Sequence, residues 1–178
     1  MTETLAQIYE RHSVSGPDIG HGDKGGTHSY IPEYERLLAP YREKCSFMEI
    51  GLALGLSVAM WDEYFTDGQF TGADLSINFN REDFPRWDFV ECDATKPVFH
   101  ELLGTKTFDV VIEDGSHMTD DQIATRDLLL PRMNPGGLYI IEDILNLEAT
   151  RHLFPGAEIL DLRSVKGRFD DVLIIYHT

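Results

Sequence analysis

Two short apolar runs, each ending on carboxylates, constrain this chain more than any other feature. Phe108-Asp-Val-Val-Ile-Glu-Asp-Gly-Ser-His117 is followed, after one helix-length segment, by Gly136-Gly-Leu-Tyr-Ile-Ile-Glu-Asp143. A short apolar run that stops on acids reads as a parallel strand delivering them to its carboxyl edge. In open α/β sheets that edge is where ligands bind. Asp114, Glu142 and Asp143 would then converge, with His117 three residues beyond the first acid. Three carboxylates that close are hard to keep ionised without a cation between them. The pattern predicts a divalent metal with a base beside it.

The rest of the chain supplies the sheet those runs need. Residues 4–12 read as a helix, and Ser13–Ser29, rich in Gly, Ser, Asp and His, as a loop. A helix opened by Pro32 follows, with Tyr34, Leu37, Leu38 and Tyr41 on one face. Strands over Ser46–Ile50, Phe70–Leu75, Asp88–Cys92, Phe108–Ile112 and Leu138–Ile141 are then separated by helices over Leu56–Phe65, Val98–Leu103 and Asp120–Leu130. The third strand follows the second without a helix. Such alternation predicts an α/β fold: a doubly wound, mostly parallel sheet with helices on both faces. The last two strand-like runs, Glu158–Leu162 and Asp171–Tyr176, are joined by a segment too short for a crossover helix, so they should pair antiparallel.

At 178 residues the chain reads as one domain, with 1–45 forming N-terminal helices and a lid and 46–178 the core. Its net charge of −16 carries no basic face, which argues against a nucleic-acid partner. Cys45 and Cys92 each lie beside a strand and read as buried thiols of a reducing compartment. No run approaches a membrane span, and the first residues carry no signal-like pattern, so the expectation is a cytoplasmic protein.

A second site opens earlier in the chain. In Met48-Glu-Ile-Gly-Leu-Ala-Leu-Gly-Leu-Ser57 a strand passes into a helix through Gly51, which permits a tight turn, and Gly55, which lets backbone approach a ligand. The next strand ends at Asp74, 23 residues after Gly51, the spacing at which an acid reaches ribose hydroxyls. Asp93 closes the third strand and could take a further group such as an adenine amine. Singly, Asp74 and Asp93 would read as turn formers or caps; with Glu49 and Gly51 they favour a nucleoside. The Met48–Ser57 turn itself has no Gly-x-Gly-x-x-Gly and no Lys-Ser/Thr pair, so a cofactor without phosphates fits better, S-adenosylmethionine over NAD or ATP.

On these motifs the chain resembles the class I S-adenosylmethionine-dependent methyltransferases. More narrowly it resembles the metal-dependent sugar O-methyltransferases of macrolide and related natural-product pathways. The residues that carry this are Gly22-Asp-Lys-Gly-Gly-Thr-His-Ser-Tyr30, Glu49-Ile-Gly-x-x-x-Gly-x-Ser57, Met60-Trp61, Asp114-Gly-Ser-His117 and the Glu142-Asp143 end, 28 residues after Asp114. The resemblance implies a Rossmann-like seven-stranded sheet with the last strand antiparallel. It implies magnesium held by Asp114, Glu142 and Asp143, and His117 as general base. It also implies S-adenosylmethionine, leaving as S-adenosylhomocysteine, held by Glu49, Gly51, Gly55, Ser57, Asp74, Asp93 and Asp114. Lys24, His28 and Tyr30 would belong to a lid near the substrate.

The implied chemistry suits those residue types. A sugar hydroxyl is too weakly acidic to ionise at neutral pH; a cation lowers its pKa and a histidine takes the proton. Hard oxygen ligands select magnesium over zinc. Without the flanking acids, His117 would read as a turn residue beside a helix start. His12, His21, His100, His152 and His177 carry no partner pattern, and Trp61, Tyr64 and Phe65 read as core. Two residues depart from the family pattern: Leu56 stands for a second glycine, and Glu113 for an aspartate. Little chain lies beyond the core to enclose an acceptor, so the acceptor should be small or be covered by another subunit, as in a homo-oligomer. A catechol-like or enol O-methyltransferase is the alternative enzyme. A degenerate fold acting as a nucleoside-binding or interaction module is the alternative outside catalysis.

Overall fold

The first strand explains where the site must lie. In β1 (Cys45–Ile50) every residue but Ser46 is buried, and the chain leaves it through Gly51 at φ +85°. The computed structural model describes residues 2–13 and 22–178; the stretch 14–21 of the expected loop, with His21, lies outside the described residues. Along the chain come α1 (Leu5–Ser13), α2 (Asp23–Gly26), α3 (Ile31–Leu38), β1, α4 (Leu56–Tyr64), β2 (Gly68–Asp74) and β3 (Trp87–Glu91). They are followed by α5 (Pro97–Leu102), β4 (Phe108–Glu113), α6 (Thr119–Leu129), β5 (Met133–Ile141), α7 (Leu147–Thr150), β6 (Glu158–Asp161), α8 (Arg163–Lys166) and β7 (Val172–His177).

The seven strands form one sheet in the order β3-β2-β1-β4-β5-β7-β6, with β7 antiparallel to both its neighbours and the other pairings parallel. The expected fold class is therefore observed. The order reverses at β1, between β2 and β4, and the crevice of such a sheet opens at that switch. Ile50 pairs with both Ala73 and Glu113, and Glu113 with Ile141, so the strand ends finish level. Backbone bonds continue one residue further: Gly51 N to Ala73 O at 2.9 Å, Asp114 N to Ile50 O at 2.9 Å and Glu142 N to Glu113 O at 3.0 Å. The glycine turn and both acidic ends stand side by side on that edge.

Each face of the sheet buries its own apolar layer. One collects Phe47, Phe70 and Trp87 against Trp61 and Tyr64 of α4 and Phe65 just after it, with Leu5 and Ile8 of α1 and Tyr34, Leu37 and Leu38 of α3. The other packs Met48, Val111, Tyr139 and Ile174 against Phe99 and Leu129. Cys45 is buried and Cys92 half-buried, both free.

The structure corrects the expected loop. Asp23–Gly26 is a helical turn, because its glycines accommodate packing. A Cβ on Gly25 would stand 2.5 Å from the Tyr9 ring, and the Tyr9 hydroxyl donates to the Gly22 carbonyl at 2.6 Å. From the far end of the chain, Lys166 Nζ donates to the carbonyls of Gly25 and His28 at 2.6 and 2.7 Å.

Candidate active site

A single lysine organises the acidic strand ends. Lys24 Nζ lies 2.6 Å from Asp114 Oδ2, 2.7 Å from Glu142 Oε1 and 3.5 Å from Glu49 Oε1, with its side chain only 3% exposed. Burial alone would lower its pKa; the three carboxylates outweigh that and push it well above its ordinary value. Asp114 shows the converse balance. Burial works to raise its carboxyl, and Lys24 with His117 holds it below the usual range. Glu142, fully enclosed, is driven well above that range by burial and then by Asp114, against the pull of Lys24. Its Oε1 also accepts the Tyr34 hydroxyl at 2.6 Å, while Oε2 is buried without a partner.

Asp143 forms a second node. Its Oδ1 accepts the Tyr30 hydroxyl at 2.7 Å and lies 3.4 Å from His28 Nδ1. His28 also lies 3.6 Å from Asp171, whose Oδ1 accepts the Ser29 N–H at 3.0 Å. Lys24, His28 and Tyr30 thus join the acids directly. They are buried, at 2%, 2% and 0% exposure.

His117 links the two nodes. Its Nε2 is 3.0 Å from Asp114 Oδ1 and its Nδ1 3.6 Å from Asp143 Oδ2; the hydrogen bond to Asp114 raises its pKa. His117 and Asp143 both hold left-handed backbone, at φ +60° and +58°. Non-glycine residues there cost of order 1 kcal/mol each, and such strain gathers at functional sites. Asp114, His117 and Asp143 offer ligand atoms that all lie within 4.8 Å of one another. Glu142 stands outside that trio, turned to Lys24 and Tyr34. Its unpartnered Oε2 and the hard oxygens of two aspartates nevertheless suit an oxygen-seeking divalent cation.

The glycine end is arranged differently. Asp74 Oδ2 accepts the N–H groups of Leu52 and Ala53 at 2.7 and 3.1 Å, and Oδ1 that of Ser76 at 3.1 Å, so this carboxylate shapes the turn. Glu49 faces inward, accepting the Ser57 hydroxyl at 2.7 Å and the Trp61 indole N–H at 3.1 Å; burial raises its pKa to about 7. Gly55, at φ +80°, is required by that conformation and by Phe79, which a Cβ would meet at 2.8 Å; it lines neither cavity.

Two cavities meet at Gly51. One, of about 230 Å³, is bordered by Tyr9, Lys24, Leu52, Ser57, Met60 and Asp114. The other, of about 260 Å³, is bordered by Asp74, Leu75, Asp93, Ala94, Glu113 and Ser116. Asp93 keeps a half-exposed side chain there, its Oδ1 accepting the Thr95 N–H and hydroxyl at 2.9 and 2.6 Å. Of the remaining histidines, His12 and His177 pair with Glu63 and Glu158 at 2.9 and 2.8 Å, and His100 and His152 are exposed.

Three contributors were not foreseen as site residues. Tyr34 reads as a core position, yet it lies four residues after Tyr30, so both rings reach the acids from one helix face. Asp171 follows Asp170 at the start of an apolar run, the same carboxylate-beside-strand signal used elsewhere. Lys166 has no sequence signal, since its partners are carbonyls 138 to 141 residues away.

No family model matches the chain. It is 36% identical over 142 residues to the 8-demethyl-8-alpha-L-rhamnosyl tetracenomycin-C 2'-O-methyltransferase of Streptomyces olivaceus, an overlap of 74% of this chain and 37% of that protein. It is 33% identical over 130 residues to the demethylmacrocin O-methyltransferase of Streptomyces fradiae, covering 67% of this chain and 33% of the relative. The chain thus spans about a third of the length of these curated relatives. Among solved structures, the MycE methyltransferase from the mycinamycin biosynthetic pathway, in complex with Mg, SAH and mycinamycin VI, matches with a TM-score of 0.67. Identity there is 29%, over 80% of this chain and 39% of that one. Among the described residues no helix is long and apolar enough to cross a membrane.

Proposed function

The chain belongs in fold and sequence with the class I S-adenosylmethionine-dependent methyltransferases, similar to the sugar O-methyltransferases of natural-product pathways, and from that premise we propose that it methylates a hydroxyl of a small glycosylated metabolite. The observation that carries this is convergence: Asp114, His117 and Asp143 gather into one cluster, and Asp114 borders the first cavity together with Gly51, which also borders the second. The second cavity, with Asp74 and Asp93, would take the nucleoside of S-adenosylmethionine. The first, with Gly51 and Ser57, would take its amino-acid end and bring the sulfonium toward the acids.

When bound, S-adenosylmethionine supplies the methyl group and magnesium a Lewis acid that lowers the pKa of an acceptor hydroxyl. Asp114 and Asp143 would hold that cation, with Glu142 behind them through its unpartnered oxygen. His117 is fixed by Asp114 and would accept the hydroxyl proton in its neutral form. Tyr30 and Tyr34 orient the carboxylates, and the buried Lys24, His28, Ser29 and Tyr30 keep water from that side. Methyl transfer from a sulfonium develops little charge for a protein to neutralise, so alignment of donor and acceptor carries much of the acceleration.

Calorimetric titration with S-adenosylmethionine and S-adenosylhomocysteine, with and without magnesium, tests the reading. We expect saturable binding of one per chain, and turnover of vicinal-diol sugars that needs the metal. No binding under either condition would remove it.

A further inference from the structure

The two oxygens of Asp143 look in different directions. Oδ2 faces His117 Nδ1 at 3.6 Å, on the side of the three candidate metal ligands. Oδ1 faces inward, where it accepts the Tyr30 hydroxyl at 2.7 Å and lies 3.4 Å from His28 Nδ1. Behind His28 stands a further carboxylate, Asp171, with Oδ1 3.6 Å from the same nitrogen. Both acids are buried, with this imidazole between them.

The imidazole is fixed from several directions. Its ring stacks on Tyr30, with centroids 4.9 Å apart and planes 12° from parallel. The His28 carbonyl accepts Lys166 Nζ at 2.7 Å, and the Ser29 N–H donates to Asp171 Oδ1 at 3.0 Å. Yet among the described residues Nδ1 has no hydrogen-bond partner, and neither has Asp171 Oδ2. Buried polar atoms left unpaired are costly. With acceptor oxygens on both sides, Nδ1 can be satisfied only by carrying a hydrogen. Hydrogen bonds that serve a catalytic site are often long in the free protein and tighten once it is loaded.

We propose that His28, backed by Asp171, is a positioning residue for Asp143: its Nδ1–H secures the inner oxygen, so that the outer one is presented to the divalent cation. This rests on the metal reading above. Partners behind a metal ligand commonly set affinity by about ten- to a hundredfold. A mere counter-charge would act in the opposite sense, since a positive group beside the ligands repels the metal and its removal tightens binding.

The test is titration of the full chain with manganese(II) alone, which suits the same hard ligands as magnesium and whose free fraction is read by electron paramagnetic resonance. His28→Phe keeps a ring over Tyr30 and should weaken manganese at least about tenfold. His28→Asn, whose amide can donate from the place of Nδ1, should recover affinity to within about threefold of the unaltered chain. Asp171→Asn still accepts the Ser29 N–H through its amide oxygen. It should weaken manganese about fivefold alone and less than about twofold in the His28→Phe background, because it acts through the imidazole. Unchanged or tighter binding by a folded His28→Phe would overturn the proposal and leave the metal reading standing. Equal losses from Asp171→Asn in both backgrounds would do the same. Full affinity in Asp171→Asn, a nearly isosteric change, would overturn it even without a folded His28→Phe. An unaltered chain that binds no manganese would overturn both.

Discussion

The two ends of the site are built on opposite plans. At the acidic end, side chains meet other side chains across great sequence distance: Lys24 to Asp114 and Glu142, Tyr30 to Asp143, Tyr34 to Glu142. At the glycine end, partners are near in sequence and mostly backbone, with Asp74 pinning Leu52 and Ala53, and Asp93 its own turn. The first end is dense and charged. The second surrounds open volume. One is set up to hold a charged centre in fixed geometry and the other to admit a ligand, so damage to each should read out differently.

The sharpest test of that division is Asp114→Asn, with His117→Ala beside it. Each should lower turnover at least about a thousandfold while S-adenosylhomocysteine affinity moves less than about threefold. The replacement of Asp114 is nearly isosteric, and Glu142 and Glu49 still compensate Lys24. Turnover retained in either variant would remove that residue from the chemistry. A collapse of affinity would show that the two ends are one unit.

Lys24→Met separates charge from shape at the acidic end. It leaves three carboxylates facing each other in a buried space, and breaking such a pairing costs about 3–5 kcal/mol. For a chain of this size the melting temperature should fall by roughly 10 °C. Millimolar magnesium should recover part of the loss and shift the unaltered chain less, since there the lysine already compensates the acids. An unchanged melting temperature would mean that Lys24 is incidental to the acids.

The same contrast explains what the sequence made legible. The parallel α/β alternation, the acidic strand ends and the antiparallel end follow from apolar period and connection length, both local quantities. The turn at Gly51 and the reach of Asp74 are local as well, set by a spacing of 23 residues. The pairing of Lys24 with Asp114 spans 90 residues and has no periodic signature. The segment around Lys24 looks like a surface loop because glycines are compositionally ambiguous: Gly25 serves close packing against Tyr9, which only the folded neighbour reveals. At Gly55, too, the close neighbour is one that only the folded chain reveals, the Phe79 ring.

At the glycine end, Asp74→Ala should weaken S-adenosylhomocysteine about tenfold, by releasing the Leu52 and Ala53 amides and removing the acid offered to the ribose. Turnover at saturating cofactor should change much less, the reverse of the Asp114 result. Unchanged affinity would remove the ribose assignment.

Glu49 lies between the two ends, bonded to Ser57 and Trp61 and 3.5 Å from Lys24, and it supplies the smallest effect. Burial raises its carboxyl from 4.5 to about 7. The folded chain therefore binds this proton more tightly than the unfolded chain. Its contribution is full below about pH 4.5 and is lost as pH rises toward 7. Glu49→Gln removes that slope and should stabilise the chain by about 1 kcal/mol at pH 8, the relief of a buried charge being partly offset by weaker bonds to Ser57 and Trp61. Melting curves between pH 5 and 8 should then diverge, with the variant flatter and higher at the alkaline end. Parallel curves would mean that Lys24 keeps Glu49 ionised throughout, and the buried charge network would then extend from the acids to the helix behind the glycine turn.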